Sequence, residues 1–149
     1  MRKFLWISAL AAVAGWAAER PSLTGSWLLD PAHTDVNGEK PKALSLSIRQ
    51  DEDAIQISEA ATDASGREKK SEIQCNTMGK LCKVTDAGEP AEITMYYNGD
   101  RLVAIETRHN NDIAIKKRLK ASDDGKTLTV EVIHIAPQGK TENYTFVKQ

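Results

Sequence analysis

The stretch ALSLSIRQDEDAIQIS, residues 43–58, alternates apolar and polar side chains on both sides of an acidic turn. Leu44, Leu46 and Ile48 occupy every second position before the turn, and two isoleucines repeat the pattern after it. Successive side chains of a β-strand point to opposite faces of a sheet, so apolar residues at every second position predict a half-buried strand. The stretch therefore predicts two antiparallel strands joined by a tight turn.

The same period of two recurs over most of the remaining chain, with clusters of Asn, Asp and Gly between the alternating runs. Those residue types tolerate the backbone conformations of tight hairpins. After the N-terminal segment, no run of ten or more residues has the three-and-four spacing of an amphipathic helix. Strands are predicted over residues 23–30, 43–50, 54–60, 67–75, 80–85, 91–97, 101–109, 112–120, 126–135 and 141–148.

About ten short strands with short connections predict an all-β domain in which sequential strands pair antiparallel. An open meander of this kind leaves two strand edges unpaired, and closing the sheet into a ring removes both. An up-and-down barrel is therefore predicted, and an open sheet or a sandwich is the alternative. The polar segment 31–42, which contains two prolines and one glycine, is predicted to be a loop.

The N-terminal segment has the pattern of a secretory signal peptide. Two basic residues precede an apolar run from Phe4 to Ala18, and the small residues Gly15 and Ala17 match a signal-peptidase site. We expect cleavage after Ala17, which divides the chain into a signal peptide at 1–17 and one barrel domain at 18–149. The apolar run is shorter than the roughly 20 residues of a membrane span. The protein is therefore predicted to be exported, either to the periplasm or out of the cell.

The chain is close to neutral, with 20 basic and 21 acidic residues, and the predicted signal peptide carries two of the basic ones. A mildly acidic mature chain lacks the basic surface that nucleic acid or an anionic membrane requires. Binding of single strands also needs stacking aromatic rings, which are few after residue 17. Nucleic acid is therefore not an expected partner.

Two features of the sequence carry a resemblance to a known family. Gly25-Ser26-Trp27 on the first predicted strand resembles the Gly-x-Trp opening of the calycins, which include lipocalins and fatty-acid-binding proteins. The C-terminal third, residues 99–149, is similar to the last strands of an intracellular fatty-acid-binding protein: an apolar strand, a basic strand, an Asp-Gly-Lys turn and a final strand. Short exported lipocalin-like domains of bacteria are similar as well. The resemblance implies a barrel that encloses a small apolar or amphipathic ligand.

Departures from the fatty-acid-binding proteins limit what the resemblance implies. That family inserts a helix–turn–helix lid after its first strand, and segment 31–42 is too short and too polar for two helices. The family holds a carboxylate with an interior arginine and an Arg-x-Tyr pair, where this chain has Lys117 and Tyr144-x-Phe146. Lysine lacks the planar fork of arginine. The resemblance therefore implies the barrel without a helical lid and without the fatty-acid clamp.

Four polar side chains are the predicted ligand contacts inside such a barrel: Lys117, Tyr97, Tyr144 and His134. Lys117 is in the same alternation phase as Leu119, which would direct its side chain into the barrel. A one-residue slip in the strand register would instead place it outside, among basic neighbours. We expect the outward position. His134 continues an alternating apolar run and points inward unless a bulge at the adjacent isoleucines changes the phase. Trp27 is predicted to fill the closed end of the barrel as core, with stacking on the ligand as the alternative.

Cys75 and Cys82 flank the turn around Met78 and Gly79. Two cysteines on either side of a hairpin turn predict a disulfide in an exported protein. A two-residue turn places these cysteines opposite each other, whereas a three-residue loop places Gln74 opposite Cys82. The sequence has no Cys-x-x-Cys motif, so redox catalysis is not predicted.

The sequence shows no catalytic or metal-binding pattern. It has no Gly-x-Ser-x-Gly elbow, and its three histidines lack the spacing of zinc ligands. No enzymatic activity, cofactor or metal is therefore predicted. The predicted function is an exported, monomeric binding module that holds a small apolar or amphipathic ligand inside the barrel. The alternative is an envelope interaction or inhibitor-type protein that acts through loops such as 31–42, with a filled barrel and no ligand.

Overall fold

The computed structural model describes residues 20–149, so the predicted signal peptide at 1–17 lies outside the described residues. All ten predicted strands are confirmed close to their predicted ends. One turn of 3₁₀ helix, at Pro31–His33, is the single helical element among these residues. The strands are β1 (Gly25–Leu29), β2 (Ala43–Gln50), β3 (Ala54–Thr62), β4 (Glu68–Asn76), β5 (Met78–Asp86), β6 (Glu89–Asn98), β7 (Arg101–Arg108), β8 (Ile113–Ala121), β9 (Thr127–Ala136) and β10 (Glu142–Lys148).

The strands form one antiparallel sheet in the order β4-β3-β2-β1-β10-β9-β8-β7-β6-β5. Sequential strands are neighbours in this order, except that β1 pairs with β10 and that β4 and β5 stand at the two ends. Within the described residues no backbone ladder joins β4 to β5, so the barrel is closed nearly all the way round. This topology confirms the predicted up-and-down barrel and rules out the sandwich.

Side chains bridge the gap between β4 and β5. At one end of the gap Cys75 and Cys82 form a disulfide, with their Cα atoms 5.8 Å apart, as predicted. Asn76 organises the turn beside it, because its side-chain oxygen accepts hydrogen bonds from the backbone amides of Met78 and Lys80 at 3.0 and 3.1 Å. Towards the other end of the gap, the Ser71 hydroxyl donates to Asp86. The ring is thus completed by covalent and side-chain contacts where backbone pairing is missing.

The residues before β1 cover one end of the barrel, which we call the closed end. Leu23 and Trp27 are each 1% exposed, and the indole Nε1 of Trp27 donates to the carbonyl of Leu23 at 2.9 Å. Gly25 has φ +149°, a conformation that side chains disfavour, and this brings the chain from the covering segment into β1. Burying a large ring with its polar hydrogen satisfied is strongly stabilising. The Gly-x-Trp motif therefore builds the floor of the barrel, as predicted for Trp27.

Segment 31–42 forms no helical lid. Its 3₁₀ turn is capped by Asp30, whose carboxylate accepts from the amide of Ala32 at 3.1 Å. The chain then runs beside β10, where Asp35 and Asn143 exchange two backbone hydrogen bonds of 2.8 and 2.7 Å. Apart from this single 3₁₀ turn, the segment is the predicted loop, and the two-helix lid is missing among the described residues. No helix among residues 20–149 is long and apolar enough to cross a membrane.

Removing the disulfide tests how much it contributes to closing the ring. A bond between residues seven positions apart limits the unfolded chain and contributes about 2–3 kcal/mol in the loop-entropy model. The free energy of unfolding of the double variant Cys75→Ala/Cys82→Ala is therefore expected to be lower by that amount. The variant should accordingly unfold at a lower urea concentration. Reduction of the unmodified protein should produce the same loss. An unchanged unfolding midpoint in both cases would mean that the bond does not stabilise the barrel.

Candidate functional site

The inward faces of the strands enclose a cavity of about 400 Å³. Most of its lining is apolar and comes from alternate positions of eight of the strands, so the same periodicity that forms the strands forms the cavity wall. The apolar lining residues are Leu44, Leu46, Ile57, Ile73, Ile93, Met95, Leu102, Ala104, Leu119, Val130, Val132 and Phe146.

The polar lining residues gather towards the end of the barrel away from Trp27, which we call the open end. These residues lie in the halves of their strands that are nearer this end, for example Glu59 late in β3 and Glu142 at the start of β10, except that Lys117 is at the middle of β8. Leu102 and Phe146 lie in the opposite halves of their strands. The cavity is therefore amphipathic along its length. Its polar lining residues are Glu59, Ser71, Asp86, Glu106, Lys117, His134, Glu142 and Tyr144.

Arg108 is the centre of a partly buried ion cluster at the open end. Its guanidinium donates to Glu106 at 2.6 Å and also pairs with Asp86. The Glu106 side chain is 6% exposed, and its second oxygen lies 3.8 Å from the ammonium of Lys117. Buried carboxylates are costly unless they are paired and hydrogen-bonded. Arg108 pairs with both Glu106 and Asp86, and Lys117 lies close to Glu106 as well.

A second group of polar contacts lies on β9 and β10. The carboxylate of Glu142 lies 3.1 Å from the imidazole Nε2 of His134, and its other oxygen accepts the Tyr144 hydroxyl at 2.6 Å. Burial raises the pKa of Tyr144 far above its usual value, and the hydrogen bond and charge of Glu142 raise it further. Tyr144 is therefore a neutral phenol whose one hydrogen is already donated to Glu142.

Glu59 differs from the other carboxylates of the cavity. Among the described residues it has no hydrogen-bond partner and no ion-pair partner. Burial raises the pKa of Glu59, with a smaller opposing effect from Lys117 and further increases from the carboxylates of Asp86 and Glu106. An ionised Glu59 is therefore a negative charge that faces the cavity without a direct partner among the described residues, and Lys117 offsets its burial only in part.

The structure brings together three of the four predicted polar ligand contacts, since Lys117, His134 and Tyr144 all line the cavity. The expected outward position of Lys117 is wrong. Lys117 lies opposite Ala104 on β7 and Val132 on β9, and both of these line the cavity, so β8 keeps the inward phase. The predicted bulge is present, but it leaves Ile135 half-exposed and His134 on the inside.

Tyr97 and Trp27 lie at the closed end, outside the cavity lining. The Tyr97 hydroxyl accepts a hydrogen bond from Gln50, and the guanidinium of Arg20 lies 4.2 Å from the centre of its ring. Trp27 is held by Leu23. Both aromatic residues thus join the covering segment to the strands.

Sequence reasoning missed the four carboxylates of the cavity: Glu59, Asp86, Glu106 and Glu142. A signal for two of them is present in the sequence. Glu59 shares the phase of Ile55 and Ile57, and Glu106 shares the phase of Leu102 and Ala104. A carboxylate in the apolar phase of a strand points to the interior. Among the described residues, no three His, Cys, Asp or Glu side chains are arranged to hold a metal ion.

An antiparallel barrel that surrounds one ligand-sized cavity defines the chain as calycin-like in fold. More particularly, it is similar to fatty-acid-binding proteins. One from Manduca sexta matches with a TM-score of 0.60 at 9% identity, over 85% of this chain and 99% of that one. Lipid binding protein 8 of Caenorhabditis elegans matches with a TM-score of 0.62 at 10% identity, over 85% and 94% of the two chains.

A secretory abundant heat soluble protein of Ramazzottius varieornatus has the same fold, with a TM-score of 0.67 at 10% identity over 88% of this chain and 97% of that one. No protein-family model matches the sequence, and no curated protein sequence matches it. At identities this low the likeness shows the fold alone. The resemblance to the calycin barrels is thereby confirmed.

Replacing Glu59 with glutamine tests its unpaired state. The pKa of Glu59 is higher in the folded protein than its ordinary value of 4.5. At a pH above the pKa in the folded protein, ionisation of Glu59 therefore lowers the stability of the fold. At a pH below the ordinary value, Glu59 is protonated in both states and this effect is absent. Glu59→Gln is therefore expected to be more stable than the unmodified protein at about pH 7, within the ~0.5–2 kcal/mol of single stabilising changes. At about pH 4 the difference should disappear.

Urea unfolding at the two pH values measures this difference. Glu52→Gln serves as the control, because Glu52 is an exposed turn residue without an ion pair in the described structure. The control should leave the unfolding midpoint unchanged at both pH values. A loss of stability in Glu59→Gln at neutral pH would show that the carboxylate is compensated after all.

Proposed function

We propose that this protein binds a small apolar or amphipathic molecule inside its barrel. The observation that carries the proposal is the cavity of about 400 Å³, which falls within the roughly 300–1,000 Å³ of ligand sites. Its apolar depth and polar open end match a molecule with an apolar body and a polar end. Lys117, His134 and Tyr144, together with Glu59, are the proposed polar contacts, and Trp27 and Tyr97 are assigned to the closed end.

The cavity favours this function over the interaction protein. An interaction scaffold with a filled barrel has no need of an internal space, and apolar side chains could fill it at the density of an ordinary core. Instead, carboxylates face into the space, where their desolvation costs stability. Several structurally similar proteins are named as a fatty-acid transporter, a lipid-binding protein or a fatty-acid-binding protein, which supports a binding role over an enzymatic one.

We also propose that the protein is exported after removal of residues 1–17. The basic and apolar pattern of that segment supports this, and so does the disulfide, because disulfides persist in oxidising compartments outside the cytosol. A ligand carrier in such a compartment would handle molecules that pass through the envelope or its surroundings.

Ligand binding is tested with Nile red, a neutral dye that fluoresces in apolar surroundings. The unmodified protein should bind it at one site, and Ala104→Phe should weaken binding at least tenfold because the larger side chain occupies the cavity wall. Ala60→Phe, at an exposed position on the outer face of β3, is the matched control and should bind normally. An organic extract of natively purified protein should also contain a co-purifying small molecule. Failure of dye binding together with an empty extract would refute the proposal.

Export is tested on the chain recovered from the host's envelope fraction. Its intact mass should correspond to a protein that begins at Ala18, because the small residues at Gly15 and Ala17 suit the peptidase. The variant Ala17→Phe should retain the N-terminal segment and run as the longer precursor. Recovery of the full-length chain from the cytosol alone would contradict the prediction.

A further inference from the structure

We propose that the ligand is a cationic amphiphile, such as a long-chain amine, whose ammonium group lies against Glu59. The inference rests on the proposed function, because it names the ligand class for the same cavity. It also departs from the fatty-acid chemistry that the fold suggests.

The cavity itself defines the site. An apolar wall closed at one end by Trp27 and polar at the other can bury an alkyl or aromatic body while its polar end stays near the opening. The burial of apolar surface supplies the driving force, at roughly 25 cal/mol per Å² of surface removed from water. The groups at the polar end then decide which kind of head group is accepted.

Negative charge dominates that polar end. Four carboxylates line the cavity, whereas the nearby cations are Lys117 in the lining and Arg108 behind it. Arg108 is engaged by Glu106 and Asp86. Glu142 is engaged by His134 and by the Tyr144 hydroxyl. Glu59 is the carboxylate that these contacts leave free.

The cavity offers few free cations or hydrogen-bond donors to a ligand with a carboxylate head group. Lys117 is the cation in the lining, and its ammonium already lies 3.8 Å from Glu106. The hydroxyl hydrogen of Tyr144 is donated to Glu142. A fatty acid would therefore place its negative charge beside an unpaired carboxylate and within reach of three others, in a partly desolvated space where like charges repel strongly.

A cationic head group meets the opposite situation. It would pair with Glu59 and would relieve the repulsion that this carboxylate experiences from Asp86 and Glu106. A charged hydrogen bond of an ammonium to a carboxylate is among the stronger polar contacts that proteins make. The pair would form at the polar end of the cavity, with the apolar body of the ligand directed towards Met95 and Phe146.

The test compares three probes with the same tail and different head groups: dodecylamine, dodecanoate and 1-dodecanol. Each displaces Nile red from the full mature protein at concentrations below micelle formation, and near-ultraviolet circular dichroism verifies that the barrel stays folded. We expect dodecylamine to compete at a concentration at least tenfold lower than dodecanoate, with the alcohol between them. Dodecanoate competing as well as or better than the amine would overturn the inference and leave the proposed function intact. Failure of all three probes and of Nile red would overturn both.

Two substitutions test which side chains determine the preference for the head group. Glu59→Gln should reduce the preference for amine over carboxylate at least fivefold. Lys117→Met should increase the preference, since it removes the competing cation. Glu52→Gln, on the outer surface, is the control and should keep the full preference. An amine preference that survives Glu59→Gln undiminished would overturn the assignment of Glu59 as the contact.

Discussion

Hydrogen bonding between β1 and β10 is the interaction on which the rest of the structure depends. These strands stand at opposite ends of the described chain, and Trp27 lies opposite Lys148 at the start of their ladder. Without this pairing the sheet would separate into two pieces, β1 to β4 and β5 to β10, with no shared interior. With it, every second side chain of the ten strands faces one space, and the missing ladder between β4 and β5 can be bridged by side chains alone.

Enclosure also determines the energetics of the polar side chains. A carboxylate on the outer face of a strand keeps its water, whereas the same carboxylate in the inward phase loses much of it. Arg108 compensates this loss for Glu106 and Asp86 by direct pairing. Concentrating such groups at the open end limits the desolvation and leaves the depth of the barrel to apolar packing. The cavity is therefore amphipathic because the polar residues at inward-facing positions of the strands occur mainly near the open end.

Most of the fold could be predicted from the sequence, because period-two alternation and turn residues are local signals. Less of the candidate site could be predicted from the sequence. The direction of Lys117 depends on the register between neighbouring strands, and a slip of one residue reverses it. Glu59 and Glu106 occupy apolar phases, yet their pairing states depend on contacts across strands that no local pattern specifies. The gap between β4 and β5 likewise has no local signal, because a hairpin turn of this kind normally predicts a paired ladder.

The unpaired state of Glu59 links stability to binding. An ionised carboxylate that burial and its neighbours disfavour raises the free energy of the empty barrel relative to the unfolded chain. A bound group that pairs with it stabilises the folded state alone, so the same interaction adds to affinity and to stability. A ligand of the wrong charge leaves that unfavourable interaction in place and adds a second one. The discrimination between ligands can therefore come as much from what Glu59 repels as from what it attracts.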